Sequence, residues 1–453
     1  MSSATRKNTL NLSLLFIVML LFGCSKADQN TNKAPENITV NFIKTLGGSK
    51  NENAQALVKT SDGGYAILGY AQSMDGDVLN KLDESFDYWV LKFDQNNILE
   101  WQQTYGGTDD DRGQDIIHTT DGGYVITGFS KSSNHSVSEN NGSQDFWVSK
   151  LDASGNISWE KSYGFPGADI GNSIIQTKDG GFLLSGVLDV SGSNGAGNSK
   201  NSKTKGVRHA GGDYWAIKIN ALGEKQWSRY FGGTFTDTPY DAIQTEDNGY
   251  LLVGASDSAD VDIENSKGSY DFWIVKISET GTLVWEKSFG GSQIDEARAI
   301  AQSKDGNYII VGDTRSSDKD VSFNHGGADL WVIKISPNGA LIWEKTFGGT
   351  GFDVARSISA TENDTFIISG SSRSTDGDLT NNNGQNDALV INIDSNGQLK
   401  WQKTIGGSNI DFAQDAVTLN DNSIIVVGNS SSSNLDISEN KGFSDALIFK
   451  IED

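Results

Sequence analysis

A tryptophan that returns on a fixed period constrains this chain more than any other feature. Trp101, Trp159, Trp227, Trp285, Trp343 and Trp401 each open a segment like Trp343-Glu344-Lys345-Thr346-Phe347-Gly348-Gly349, at spacings of 58, 68, 58, 58 and 58. A second series, Trp89, Trp147, Trp215, Trp273 and Trp331, keeps the same register and continues through Leu389 and Leu447, while Phe42 holds the first slot of the first series. Residues 37–453 therefore divide into seven units, the third longer by ten residues. A long period with a large apolar residue at each recurrence belongs to chains whose unit must stack on its neighbour to bury a core.

Each unit reads as four strands. In the fifth, strand A lies near residues 297–302 and Asp305-Gly306-Asn307 turns into strand B at 308–312. After a polar loop, strand C covers 329–335, and Ser336-Pro337-Asn338-Gly339 leads into strand D at 340–347. The A–B turns Asp62-Gly63-Gly64, Asp121-Gly122-Gly123 and Asp179-Gly180-Gly181 suit tight hairpins, because Gly accepts the positive φ they demand. Strand C is apolar on both faces in Phe272-Trp273-Ile274-Val275, as a sheet packed between two others requires. Four-stranded sheets repeated radially make a β-propeller. The final unit stops after strand C, whereas residues 38–46 form a lone strand D ahead of the first unit. The expected fold is thus all-β, a seven-bladed β-propeller of four-stranded antiparallel blades in which the N-terminal strand completes the C-terminal blade and closes the ring.

Ahead of the repeats, Arg6 and Lys7 precede an apolar run at 10–22 that is too short to span a bilayer, which reads as a signal peptide over residues 1–23. Leu21-Phe22-Gly23-Cys24 resembles the lipobox of bacterial lipoproteins, in which the cysteine is acylated with chains such as palmitate and becomes the first mature residue. Ser25 at the next position resembles the sorting signal for the outer membrane. Residues 24–36 then read as a lipidated, flexible linker, with periplasmic and surface-exposed orientations both open. Cys24 is the chain's one cysteine, so the expectation includes no disulfide and no thiolate metal site. With 59 acidic against 36 basic residues the net charge is -23, and loss of Arg6 and Lys7 with the signal peptide takes it to -25, which argues against a nucleic-acid partner.

The run Gly406-Gly407-Ser408-Asn409-Ile410-Asp411-Phe412-Ala413, with its equivalents ahead of each Asp-Gly-Gly-Tyr-like turn, resembles the bacterial β-propeller repeats called SBBP. The resemblance covers the whole repeat region and implies an exported or surface propeller; it brings no catalytic residues with it.

Three sets of residues qualify as candidate sites. One aspartate per unit precedes strand C, at Asp87, Asp145, Asp213, Asp271, Asp329, Asp387 and Asp445. A requirement shared by all units points to structure, a carboxylate pinning the preceding loop by accepting backbone N–H bonds. A second ring, Glu52, Asp111, Asp169, Asp237, Asp295, Asp353 and Asp411, lies in the D–A connections, with further acids in the B–C loops such as Asp75, Asp77, Asp376, Asp378 and Asp436. These read as turn formers, with calcium as the alternative although no loop carries an EF-hand pattern; no cofactor is otherwise expected. His118, His135, His209 and His325 are read as occupying unrelated positions, and few of the eight arginines as clustered, which leaves catalysis without a constellation.

The third set is where the repeat stops repeating. Three residues after each D–A acid stand Gln55, Gln114, Asn172, Tyr240, Arg298, Arg356 and Gln414. Tyr240, Arg298 and Arg356 depart together from the amides of the other units, near the expected channel mouth. With Asp295 and Asp353 beside them they form a candidate binding site for a carboxylated, phosphorylated or sugar ligand. A simpler alternative pairs each arginine with its own unit's acid, Asp295 or Asp353. A fourth feature, the basic Gly/Ser-rich insertion at 191–212 with Lys200, Lys203, Lys205, Arg208 and His209, reads as an excursion without a core. The functional expectation is a membrane-anchored binding or scaffold module for a protein or glycan partner at the cell envelope, as a monomer or within a hetero-complex. The alternative is a glycan-active enzyme on the same scaffold.

Overall fold

The computed structural model describes Met1 and residues 38–198, 209–379 and 381–452. Cys24, the expected signal peptide and linker, and Lys200, Lys203, Lys205 and Arg208 lie outside the described residues. The repeats belong to a unit of their own, Asn37–Asp453.

Twenty-eight strands form seven sheets of four, every sheet antiparallel and ordered as the chain runs except one. In that sheet Thr39–Leu46 pairs with Asp445–Glu452 in the register Thr39↔Glu452 to Leu46↔Ala446. The first strand therefore supplies the outermost position of the last blade. The protein is a closed seven-bladed β-propeller of four-stranded blades. Closure is also carried by side chains, since Tyr65, Ile67 and Trp89 of the first blade share one core with Ile425, Val427 and Ile448 of the last.

The core is not central. It consists of seven apolar layers, each between two neighbouring blades, as where Phe272 and Ile274 meet Tyr308, Ile310, Trp331 and Ile333. Strand C is buried along its whole length in four blades, for example Asp271–Ile277 and Asp329–Ile335, and at all but one terminal residue in the other three. Its tryptophans, Trp89, Trp147, Trp215, Trp273 and Trp331, are fully buried. A buried indole N–H needs an acceptor. Strand D supplies one thirteen residues on: Gln102 Oε1 for Trp89 at 2.9 Å, Glu160 for Trp147 at 2.9 Å, Glu286 for Trp273 at 2.9 Å and Glu344 for Trp331 at 3.0 Å. Blade three has Ser228 at that position, and the Trp215 indole donates instead to the Gly197 carbonyl at 3.0 Å.

That last contact corrects the reading of the insertion. A helical turn, Val190–Ser193, is capped by the Asp189 carboxylate accepting from the Gly192 N–H, and Val190 is buried in the core between blades two and three. The stretch at 190–198 is thus packed, because it completes hydrogen bonds that the repeat supplies elsewhere.

On the A–B turn side, six strand-C lysines, Lys92, Lys150, Lys218, Lys276, Lys334 and Lys450, reach the turn acids Asp62, Asp121, Asp179, Asp247, Asp305 and Asp421 at 2.7–3.1 Å. Their stems are buried while the acids face solvent, which lets a charge head snorkel from an apolar layer. Blade six has Asn392 in this place.

Candidate functional site at the central channel

The innermost strands are Glu52–Lys59, Asp111–His118, Ile170–Gln176, Asp237–Gln244, Asp295–Gln302, Asp353–Ala360 and Asp411–Thr418. Each carries one β-bulge, seen as a register shift between Ala54 and Ala56, Gly113 and Asp115, Gly171 and Ser173, Pro239 and Asp241, Ala297 and Ala299, Ala355 and Ser357, and Ala413 and Asp415. The extra residues are Gln55, Gln114, Asn172, Tyr240, Arg298, Arg356 and Gln414, the ring that breaks the sequence repeat. A bulge lets two successive side chains face one way. Both the bulged residue and its successor accordingly line a central cavity of about 390 Å³. Opposite each bulge stands a glycine of strand B. A Cβ on Gly312 would lie 1.9 Å from the Glu296 carbonyl oxygen, so no other residue fits there without moving backbone.

Tyr240, Arg298 and Arg356 come together as expected. The Arg298 guanidinium lies 4.1 Å from the centre of the Tyr240 ring and donates from Nη2 to Glu296 at 2.7 Å. Among the described residues Arg356 forms no ion pair within 4.0 Å and no hydrogen bond. The Nε atoms of both arginines are buried without an acceptor. Burial, and after it the neighbouring Arg298 charge, draws the Arg356 guanidinium below its ordinary value. Asp313, on strand B beside them, is pushed up to about 6 by burial against the pull of Arg298.

Asp295 and Asp353 do not join this group. Both are fully buried within their own D–A connections. Asp295 accepts from the Gly291 N–H at 2.6 Å, from Ser316 Oγ at 2.9 Å and from the Thr314 hydroxyl. Asp353 accepts from the Gly349 N–H at 2.9 Å and from Ser372 and Ser374 at 2.6 Å each. Their oxygens accept from the loop, and neither is the counter-ion of Arg298 or Arg356.

The other carboxylate rings also serve the fold. Strand-C aspartates accept from the backbone N–H four residues earlier: Asp145 from Asn141 at 2.7 Å, Asp271 from Lys267 at 2.5 Å, Asp387 from Asn383 at 2.8 Å and Asp445 from Lys441 at 2.9 Å. Acids of the B–C loops tie the D–A connection down, Asp75 through the Ser49 N–H at 2.8 Å and Asp376 through the Thr350 N–H at 2.8 Å. Among the described residues no three His, Cys, Asp or Glu side chains are grouped to hold a metal ion. His209 and His325 prove equivalent after all: each stands four residues before a strand-C aspartate and places Nδ1 2.6 Å from it, at Asp213 and Asp329.

Sequence reasoning missed two features. The first is a trio of channel carboxylates in the residue after the bulge. Asp115 accepts from its neighbour's N–H at Ile116 and from Ile174 of the next blade, both at 2.8 Å. Asp241 does the same with Ala242 at 2.7 Å and Ile300 at 3.0 Å, and Asp415 with Ala416 at 2.8 Å and Leu57 at 2.9 Å. Each staples two inner strands together. Burial pushes Asp115 up to about 8 and Asp415 up to about 6. The signal was present in the broken series Ala56, Asp115, Ser173, Asp241, Ala299, Ser357, Asp415, one place beyond the ring that was read. The second is an arginine cluster. Arg315 and Arg373 both face Phe352, at 5.8 and 5.7 Å from its ring centre, and the charges of Arg298, Arg315 and Arg356 all act on Asp313. Arg298 and Arg356 lie in innermost strands, and Arg315 and Arg373 just past the ends of second strands, of blades five and six, so only the fold gathers them.

Neither a protein-family model nor a curated protein sequence matches the chain. Among solved structures, BamB from Moraxella catarrhalis is 12% identical with a TM-score of 0.40, over 92% of this chain and 100% of that one. Sqt1 from Chaetomium thermophilum is 10% identical with a TM-score of 0.46, over 90% and 99%. The Neurospora crassa Pan2 WD40 domain is 10% identical with a TM-score of 0.43, over 90% and 94%. At these identities the class of the chain rests on its own sheets, which define a β-propeller.

Proposed function

We propose that this chain is an exported lipoprotein, acylated at Cys24 and held by residues 24–36 at the outer membrane, whose SBBP-like propeller binds a protein or glycan partner at the cell envelope. The observation that supports a binding role is a division of labour among side chains. Rings common to all blades pin loops and blade junctions, each strand-C aspartate keeping one buried Oδ1 unpaired, whereas the bulge ring varies from blade to blade and brings two guanidiniums to the channel wall. Arg356 lines the cavity with no ion pair among the described residues, and a charge left without a partner on a cavity wall costs stability that a ligand of opposite charge would offset.

The test is a crosslinking pull-down from intact cells, with and without glycan-digesting treatment. A partner recovered in either arm and lost when excess free propeller is added supports binding; no specific partner in both arms would overturn it. A glycan-active enzyme is the second reading. It is favoured by Asp115, a channel carboxyl pushed up to about 8 and hence fit to hold a proton at neutral pH. Against it, both Asp115 oxygens already serve backbone N–H groups.

A further inference from the structure

The channel is lined unequally around its circumference. On blades four to six stand Tyr240, Arg298 and Arg356; on blades seven, one and two stand Gln414, Gln55 and Gln114. Among the described residues the side chains of those three glutamines make no hydrogen bond within the protein, whereas Asn172 of blade three donates to the Pro239 carbonyl at 2.7 Å. One wall of the cavity thus carries two guanidiniums, one of them without an ion pair among the described residues, and the wall beyond offers three free amides, each able to donate and accept.

The charge balance narrows what fits. Glu296 and Asp313 offset Arg298 and Arg356, and three more carboxyls, Asp115, Asp241 and Asp415, line the next ring. A dianion such as phosphate would add two negative charges where the four nearest already cancel. A single planar carboxylate adds one and matches the fork of a guanidinium. Free amides opposite suit hydroxyl groups, which also donate and accept, and a cavity of about 390 Å³ is at the lower end of small-ligand pockets.

We infer that the channel of this propeller is a binding site for an acidic sugar residue, its carboxylate bridging Arg298 and Arg356 and its hydroxyls meeting Gln55, Gln114 and Gln414. This rests on the proposed binding role and assigns it a ligand class. The test is titration calorimetry of the purified propeller with glucuronate, galacturonate, glucose and inorganic phosphate. At least one uronate is expected to bind, with glucose and phosphate at least tenfold weaker. The double variant Arg298→Gln, Arg356→Gln is expected to lose uronate binding by at least tenfold while remaining folded, and Gln55→Ala with Gln414→Ala to weaken it severalfold. Phosphate binding as tightly as uronate, or neither uronate binding, overturns the inference. Because this comparison uses wild-type protein, it does not depend on the variants folding. If uronates fail while the pull-down still recovers a partner, the ligand class is wrong and the binding role stands.

Discussion

Raising the pH from 5 to 8 is expected to destabilise this propeller, through carboxyl pairs buried between its blades. At each junction a strand-C aspartate lies near the D–A acid of the next blade, as with Asp271 and Asp295 or Asp387 and Asp411, and that neighbouring charge raises the proton affinity of the strand-C aspartate. All seven strand-C aspartates keep one buried Oδ1 without a donor. Burial first, and then the neighbouring acid, pushes Asp271 and Asp387 up to about 6, and burial pushes Asp169 and Asp213 up to about 7. The unfolded chain ionises these groups near 3.9. A carboxyl whose folded value is raised contributes stability that is complete below the unfolded value and is lost as the pH climbs through the folded one. Holding one buried carboxyl near 6 rather than 3.9 is worth about 3 kcal/mol once it must ionise. An unfolding entropy of about 2.1 cal/mol/K per residue over roughly 400 residues is ~0.9 kcal/mol/K, so one such group moves the melting temperature by ~3 °C. Several groups acting together should lower it by more. Acid eventually destabilises too, since hydrogen bonds from Lys150 and Lys276 hold Asp121 and Asp247 down to about 2. Calorimetry at constant ionic strength from pH 3 to 9 should therefore show maximum stability near pH 4, close to the unfolded carboxyl value, with most of each group's loss falling between there and its folded value. Asp271→Asn, which cannot ionise, should flatten the alkaline slope by ~3 °C. A melting temperature that is constant or rises from pH 5 to 8 would refute the reasoning.

Three further outcomes follow from the fold and its anchor. Gly312→Ala places a Cβ 1.9 Å from the Glu296 carbonyl oxygen and should cost ~2–3 kcal/mol in urea unfolding, since backbone rather than a side-chain tip must yield. Deleting residues 194–205 removes the acceptor of the Trp215 indole and should lower the melting temperature; an unchanged value would mean that the segment at 190–198 contributes nothing to packing. Cys24→Ala should release the protein from membranes after a high-salt wash, and continued co-fractionation with the outer membrane would overturn the lipid anchor.

How far the sequence carried depended on whether a feature is periodic. Blade number, strand order and closure by residues 38–46 were legible because every blade needs the same apolar slots. In the fifth unit, strand C was placed at its observed bounds, Asp329–Ile335, whereas strand A was started late because its first residues, Asp295 and Glu296, look like loop. The variable ring could be singled out in sequence, but its bulge could not, since a bulge shows itself only against its partner strand. Pairing Arg298 with Asp295 was a reasonable guess for residues three apart. It failed because the two side chains leave opposite sides of the strand, one toward the loop and one into the channel, and Glu296 meets the guanidinium instead. Arg315 and Arg373 were invisible as members of a cluster, being contributed by the B–C loops immediately after second strands.

The central claim is that the ring which breaks the sevenfold pattern is the functional one. It is tested most directly by partner recovery from intact cells with Arg298→Gln, Arg356→Gln, measured beside the melting curve of the same variant. Glutamine restores the amide found in other blades, so folding should be retained. A variant that melts with the wild type yet recovers at least tenfold less partner is the expected result. Unchanged recovery by the folded variant would contradict the claim and place the binding surface elsewhere on the propeller.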